Sequence, residues 1–170
     1  MEDSSTFLGK GQFYSTKLFD GFSTVFRQHI ATGTHCRFLH GYGLKVRVKW
    51  TGELDERNWV VDFGGFKRAI NKISIGQPGI SYPPKEWLNW LLDHTVILAE
   101  DDPFLEHFKD LKNQGVLQLR TLPRVGCEMF ARHIFETLAE WASREYGDRV
   151  KLHLVEVFEH EKNSAIYKKS

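Results

Sequence analysis

Leu44-Lys45-Val46-Arg47-Val48-Lys49-Trp50 decides the fold, because apolar and basic side chains alternate along it without a break. Successive side chains of a strand point to opposite faces, so Leu44, Val46, Val48 and Trp50 line one side and Lys45, Arg47 and Lys49 the other. One buried face and one wet face mark an antiparallel sheet. Downstream, residues 51–58 carry turn chemistry, and Trp59-Val60-Val61-Asp62-Phe63 reads as the hairpin partner. Upstream, Leu18 to Phe26 is rich in Phe, Thr and Val and reads as a first strand. Residues 1–16 are polar and form an expected N-terminal arm, leaving 17–170 as one domain.

Helical spacing takes over after Gly64-Gly65. Phe63, Phe66, Ile70 and Ile73 recur at intervals of three and four, which predicts an amphipathic helix. A loop with Pro83-Pro84 follows, then a short helix over Lys85 to Leu92 and a short strand at Val96-Ile97-Leu98. Asp101 or Asp102 can cap a helix with Pro103 in its first turn and Phe104, Phe108 and Leu111 as its buried stripe. Leu117 to Leu122 reads as a strand. Cys127 to Arg144, with Phe130, Ile134, Leu138 and Trp141 on one face, is the longest expected helix, and Lys151 to Glu159 alternates as a last strand. The fold class is therefore α+β, an antiparallel sheet with helices packed on one face.

A chain of 170 residues buries a core of its own without disulfides. Its 23 basic and 22 acidic side chains leave a net charge of +1, which gives no electrostatic reason to expect nucleic acid or an anionic membrane as partner. No run reaches the roughly 20 apolar residues of a membrane span. The polar start Met1-Glu2-Asp3-Ser4-Ser5 leads into no export-signal pattern. Cys36 and Cys127 are too few for a disulfide framework, so free thiols and a cytoplasmic location are expected.

Chemistry concentrates in Thr34-His35-Cys36-Arg37-Phe38-Leu39-His40-Gly41-Tyr42-Gly43. Imidazoles beside a thiol favour the thiolate, the form that acts as nucleophile or base, so Cys36 is a candidate reactive group; the alternative is a small core residue. Asp93-His94 places a carboxylate beside an imidazole, which can fix its tautomer and raise its basicity. Glu159 follows Val155 and Val157 on one face of the last strand, and a half-buried carboxylate there needs an Arg or a ligand's N–H edge. His29, His35 and His40 lie close enough in sequence to ligate zinc, although no HExxH or CxxC pattern is present.

Taken in order, Cys36-Arg37-Phe38-Leu39-His40-Gly41, Val60-Val61-Asp62-Phe63, Leu92-Asp93-His94, Cys127-Glu128-Met129-Phe130-Ala131 and Glu159 followed by Ala165-Ile166-Tyr167 resemble the signature of the 6-pyruvoyltetrahydropterin and 6-carboxytetrahydropterin synthase family. The Cys-x-x-x-His-Gly spacing resembles its bacterial 6-carboxytetrahydropterin branch, which serves 7-deazaguanine and queuosine synthesis. The resemblance implies the tunnelling fold and a homo-oligomer, tetramer or hexamer, with sites at subunit interfaces. It implies a zinc-dependent carbon–oxygen lyase that takes 7,8-dihydroneopterin triphosphate as substrate and releases triphosphate. By the same resemblance Cys36 would be the base, Asp93 and His94 would activate it or relay its proton, and Glu159 would hold the pterin's amino-pyrimidine edge. Glu128 would join Glu159 in substrate binding. Cys127 stands where the family has Thr or Ser, and either lines the pterin pocket or merely starts its helix.

The family's zinc is held by one histidine on the first strand and two in a His-Gly-His. Here the latter is His40-Gly41-Tyr42, and Phe26 falls at the first-strand position. Three arrangements remain open: a site rebuilt from His29, His35 and His40, loss of the metal with the pocket kept, or ligation by Tyr42 as phenolate.

Overall fold

The computed structural model describes residues 11–170, so the first part of the expected arm lies outside the described residues. Strand β1 (Tyr14–Phe26) begins inside that arm, and Tyr14 pairs with Thr51. Its antiparallel neighbour is β2 (His40–Gly52), with Leu44, Val46, Val48 and Trp50 fully buried as the alternation requires. The other edge of β2 pairs antiparallel with β7 (Val150–His160), which pairs in turn with β8 (Asn163–Tyr167). On the far side of β1, two strands run parallel to it: β5 (Thr95–Ala99) and then β6 (Leu119–Leu122). The sheet thus has six strands in the order β6-β5-β1-β2-β7-β8 and is mixed rather than purely antiparallel. A second, two-stranded sheet pairs β3 (Ile73–Ser74) with β4 (Ser81–Tyr82).

Helix α4 (Cys127–Tyr146) packs across β7 and β8, and its Phe130, Ile134, Leu138 and Trp141 are buried. Trp141 meets Trp50 and Phe66 at ring-centroid distances of 6.0 and 5.8 Å, so aromatic edges and faces fill the core between sheet and helix. Helix α2 (Pro84–Leu92) covers the β1–β5 side. Two buried threonines tie down its C-terminus: Thr24 Oγ1 donates to the Leu92 carbonyl at 2.6 Å and Thr95 Oγ1 to that of Leu91 at 3.0 Å. Helix ends leave carbonyls without intrahelical donors, and these hydroxyls satisfy two of them where water cannot.

Three local expectations are corrected. Trp59–Phe63 is not a strand, and the hairpin partners of β2 are β1 and β7. The segment turns away because Arg149 Nη1 donates to the carbonyls of Glu53, Trp59 and Val60 at 2.7, 3.3 and 3.1 Å, which holds it as a loop. The helix expected through Ile73 shortens to one turn, α1 (Gly65–Arg68). Phe66 is buried there, but Ala69 returns to extended backbone and Ile70 is 90% exposed. Helix α3 (Leu105–Asn113) forms where the Asp–Pro signal places it, yet buries no residue of its stripe in this chain; Phe104 is exposed beside it.

Its anchor is Asp102, whose Oδ1 accepts the Phe104 N–H at 2.9 Å and whose carboxylate takes a two-point ion pair from Arg27 at 2.8 and 2.9 Å. Although burial alone would raise the Asp102 carboxyl, the guanidinium and the N–H hold it below its ordinary value. A carboxyl depressed on folding adds stability that is present above the unfolded carboxylate range, roughly pH 4, and is lost as pH falls through the folded value. Asp102→Asn is expected to lower stability by about 1–2 kcal/mol at neutral pH. The difference from wild type should shrink in acid, as read by denaturant unfolding at several pH values; a pH-independent difference would contradict the ion pair's role.

Candidate active site

Between β1 and β2 the chain runs through residues 27–39 and holds Cys36 in a single 3-10 turn, His35–Arg37. Thr34 caps this turn by accepting the Cys36 N–H at 3.2 Å. Gln28 fixes the turn from both ends: its backbone N–H donates to the Cys36 carbonyl at 2.8 Å, and its side-chain amide donates to the Val125 carbonyl at 3.3 Å. Close approach of this amide requires Gly126, whose φ is +125° and where a Cβ would come within 2.5 Å of Gln28 Nε2. Helix α4 then starts at Cys127.

These pieces meet the β7–β8 hairpin around a cavity of about 170 Å³. Cys36, Cys127, Glu128, Glu159, Gln28 and Phe26 line it, so four residues singled out in the sequence open on one space. Glu159, half-buried, follows buried Val155 and Val157 along β7 and falls where the pairing with β8 shifts register between Phe158 and His160. Among the described residues no cation pairs with Glu159; Lys45, opposite Phe158, lies 3.9 Å from Glu161, and Arg47, opposite Glu156, goes to Glu156 at 2.6 Å. Burial pushes the Cys127 thiol up to about 12, and the carboxylates of Glu159 and Glu128 add to this. Cys127 is therefore a neutral thiol at the cavity wall. Gln28 and the hairpin residues Asn163 and Ser164 also line it. No spacing rule marks Gln28, whereas Asn163 and Ser164 lie in the Glu159-to-Ala165 interval.

Asp93 and His94 sit elsewhere on the chain's surface and do not line this cavity. Adjacent residues seldom pair, but His94 has a left-handed backbone, φ +52°, that brings Nδ1 to 2.9 Å from Asp93 Oδ1. The same oxygen accepts the Ser23 N–H at 3.0 Å, and this bond first, then the imidazole, holds the Asp93 carboxyl below its ordinary value. The imidazole itself is 77% exposed. One chain thus carries a thiol–carboxylate cavity and, apart from it, an exposed Asp–His pair.

A family model described as 6-pyruvoyl tetrahydropterin synthase matches residues 17–76 and 85–170. The chain belongs to the 6-pyruvoyl tetrahydropterin synthase family. Solved structures share its fold. An uncharacterized protein from Wolinella succinogenes is 22% identical, with a TM-score of 0.74 over 95% of this chain and 100% of that one. The 6-pyruvoyltetrahydropterin synthase of Plasmodium vivax is 14% identical, with a TM-score of 0.62 over 93% of this chain and 99% of that one. That of Caenorhabditis elegans is 20% identical, with a TM-score of 0.58 over 94% and 97%. Among the described residues of this family member no helix is long and apolar enough to cross a membrane.

The family's zinc does not fit the side chains present. Among the described residues no three His, Cys, Asp or Glu side chains come together to hold a metal, so the site expected from His29, His35 and His40 is not assembled. His29 is drawn away: Nε2 faces Asp101 at 3.7 Å and Nδ1 faces Asp102 at 3.8 Å, within a network closed by Arg27 and Arg124. His35 and His40 remain exposed. At the first-strand position Phe26 is buried and stacks on Tyr42 at 4.1 Å with 15° between the rings. The Tyr42 hydroxyl lies 2.6 Å from His40 Nε2. Burial, followed by the Glu159 charge, pushes Tyr42 up to about 12, so in the metal-free chain it is a neutral phenol. Two aromatic rings and a Tyr–His hydrogen bond occupy the place of the family's donors.

Proposed function

We propose that this chain binds a reduced pterin against Glu159 and carries out acid–base chemistry on its side chain with Cys36, the reaction being conversion of 7,8-dihydroneopterin triphosphate and water to 6-carboxytetrahydropterin, with loss of triphosphate and of the two outer side-chain carbons as acetaldehyde. The observation that carries this reading is that Cys36 and Glu159 open on the same cavity, the carboxylate without a cation among the described residues. A pterin presents adjacent N–H donors on its amino-pyrimidine edge, and a carboxylate accepts both in a charge-assisted, two-point contact. Glu128 and Gln28 bound the same cavity and supply an acceptor and an amide, while the neutral Cys127 thiol supplies an uncharged wall.

A cavity of about 170 Å³ is smaller than the usual ligand pocket, roughly 300–1,000 Å³, which supports a site completed by another copy of the chain. The exposed Asp93–His94 pair is then the complementary half, offered to the Cys36 of a neighbour in a homo-oligomer. In this scheme Cys36 takes the proton from a substrate carbon and His94 returns it. Zinc takes no part in this scheme. Two free thiols and the absence of any requirement for a membrane fit a cytoplasmic enzyme.

The stacked Phe26–Tyr42 pair favours a second reading, in which the pterin pocket is kept and the lyase reaction is lost. Triphosphate release from 7,8-dihydroneopterin triphosphate, measured on protein of known metal content, separates the two. Turnover with less than about one-tenth equivalent of zinc supports metal-independent lysis; pterin binding without turnover under any metal loading supports the second reading.

A further inference from the structure

A cavity of about 320 Å³, the size of a small-molecule pocket, lies between α2, α4 and the edge strand β6, and shares no lining residue with the Cys36 cavity. Arg120 lines it from β6. Its Nε donates to the Trp90 carbonyl at 2.9 Å, Nη1 to the Leu119 carbonyl at 3.1 Å and Nη2 to Gln118 Oε1 at 3.1 Å, while its plane lies 4.3 Å from the Trp90 ring. Five N–H groups belong to a guanidinium, so one on each Nη is left over. None of these partners is anionic. Burial pulls the guanidinium below its ordinary value, and the other group acting on it is the neutral Tyr82. Among the described residues no carboxylate pairs with Arg120; a half-buried cation so placed is costly to keep, and a fork with one spare donor on each tip matches a two-oxygen anion.

The remaining walls suit a compact organic body. Trp87, Leu91 and Leu119 are apolar, and His133, which burial keeps neutral at pH 7, stands with Thr137 one helical turn on along α4. We propose that this cavity is a second binding site, for a small organic carboxylate with an apolar or aromatic body, its carboxylate held by Arg120 and its body by Trp87 and Leu91. The site is independent of pterin binding.

The test uses the full chain in ligand-observed NMR titrations with benzoate, benzamide and inorganic phosphate. Benzoate is expected to bind saturably in the millimolar range or tighter, at least about 10-fold more tightly than benzamide, which lacks the charge. Phosphate, which lacks the body, should bind more weakly than benzoate. Arg120→Gln should weaken benzoate at least about 10-fold, and Arg120→Lys, which keeps the charge but not the fork, several-fold, with pterin affinity unaltered in both. Equal binding of benzamide or phosphate, undiminished benzoate binding in both variants, or no saturable benzoate binding by wild type would each overturn the proposal. Circular dichroism of both variants establishes that they fold, and Arg120→Lys alone decides the matter if Arg120→Gln does not.

Discussion

Cys36→Ala is expected to slow release of triphosphate from 7,8-dihydroneopterin triphosphate by about 100- to 10,000-fold, the range over which a positioned acid–base group contributes. The effect should fall on kcat, because the thiol sits in a capped turn at the cavity wall and Glu159, the proposed pterin anchor on the same cavity, is left in place. Dihydroneopterin affinity should change less than about threefold, since one uncharged thiol contributes little to ground-state binding. His94→Ala should produce a comparable loss for a different reason: its imidazole is exposed on one chain and, in the assembly proposed above, would meet the thiol of another. Mixing and reassembling the two inactive variants should then restore about one quarter of wild-type activity, because each shared site draws each half at random. Absence of any recovery on mixing, with both variants confirmed to exchange subunits, would place the dyad and the thiol in unrelated sites.

Glu159→Ala is expected to weaken binding of 7,8-dihydroneopterin by at least about 100-fold, corresponding to two charge-assisted hydrogen bonds of roughly 1.5–3 kcal/mol each. Fluorescence titration of the pterin reads this directly. A second readout comes from the protein itself. Glu159 adds to the burial that pushes Cys127 and Tyr42 up, so removing its charge should bring both groups back toward their ordinary values. In Glu159→Gln, alkylation of Cys127 should therefore become appreciable at a lower pH than in wild type. If that profile shifts while pterin affinity does not, Glu159 shapes the field of the cavity but does not hold the pterin.

Legibility in the sequence followed the range of the forces at work. The alternation through Leu44–Trp50 and the stripe Phe130–Trp141 report burial of one face, which each segment encodes locally, and both elements formed as read. Strand pairing is another matter. Trp59–Val61 carries strand-forming residues, but the edge of β2 is taken by Val150–Leu154 from far along the chain, and Arg149 binds the displaced carbonyls. No local pattern announces that competition. The site divided in the same way. Cys36, Cys127, Glu128 and Glu159 were found by residue type and order, and the fold gathers them on one cavity. Sequence distance from His40 makes His29 a candidate metal ligand but says nothing about Asp101 and Asp102, which arrive from the segment after β5 and face it. Gln28 was missed because an amide that bridges two loops carries no spacing signal.

That bridging amide gives Gln28 a part in energetics as well as in geometry. One residue grips the turn that carries the thiol by its backbone and the threshold of α4 by its side chain, so the two walls cannot loosen independently. A ligand that pins Cys127 and Glu128 must thereby raise the free energy of unfastening the Cys36 turn, and by reciprocity a turn already fastened must tighten the ligand by the same factor. Order in the 27–39 segment and occupancy of the cavity are thereby expected to rise together.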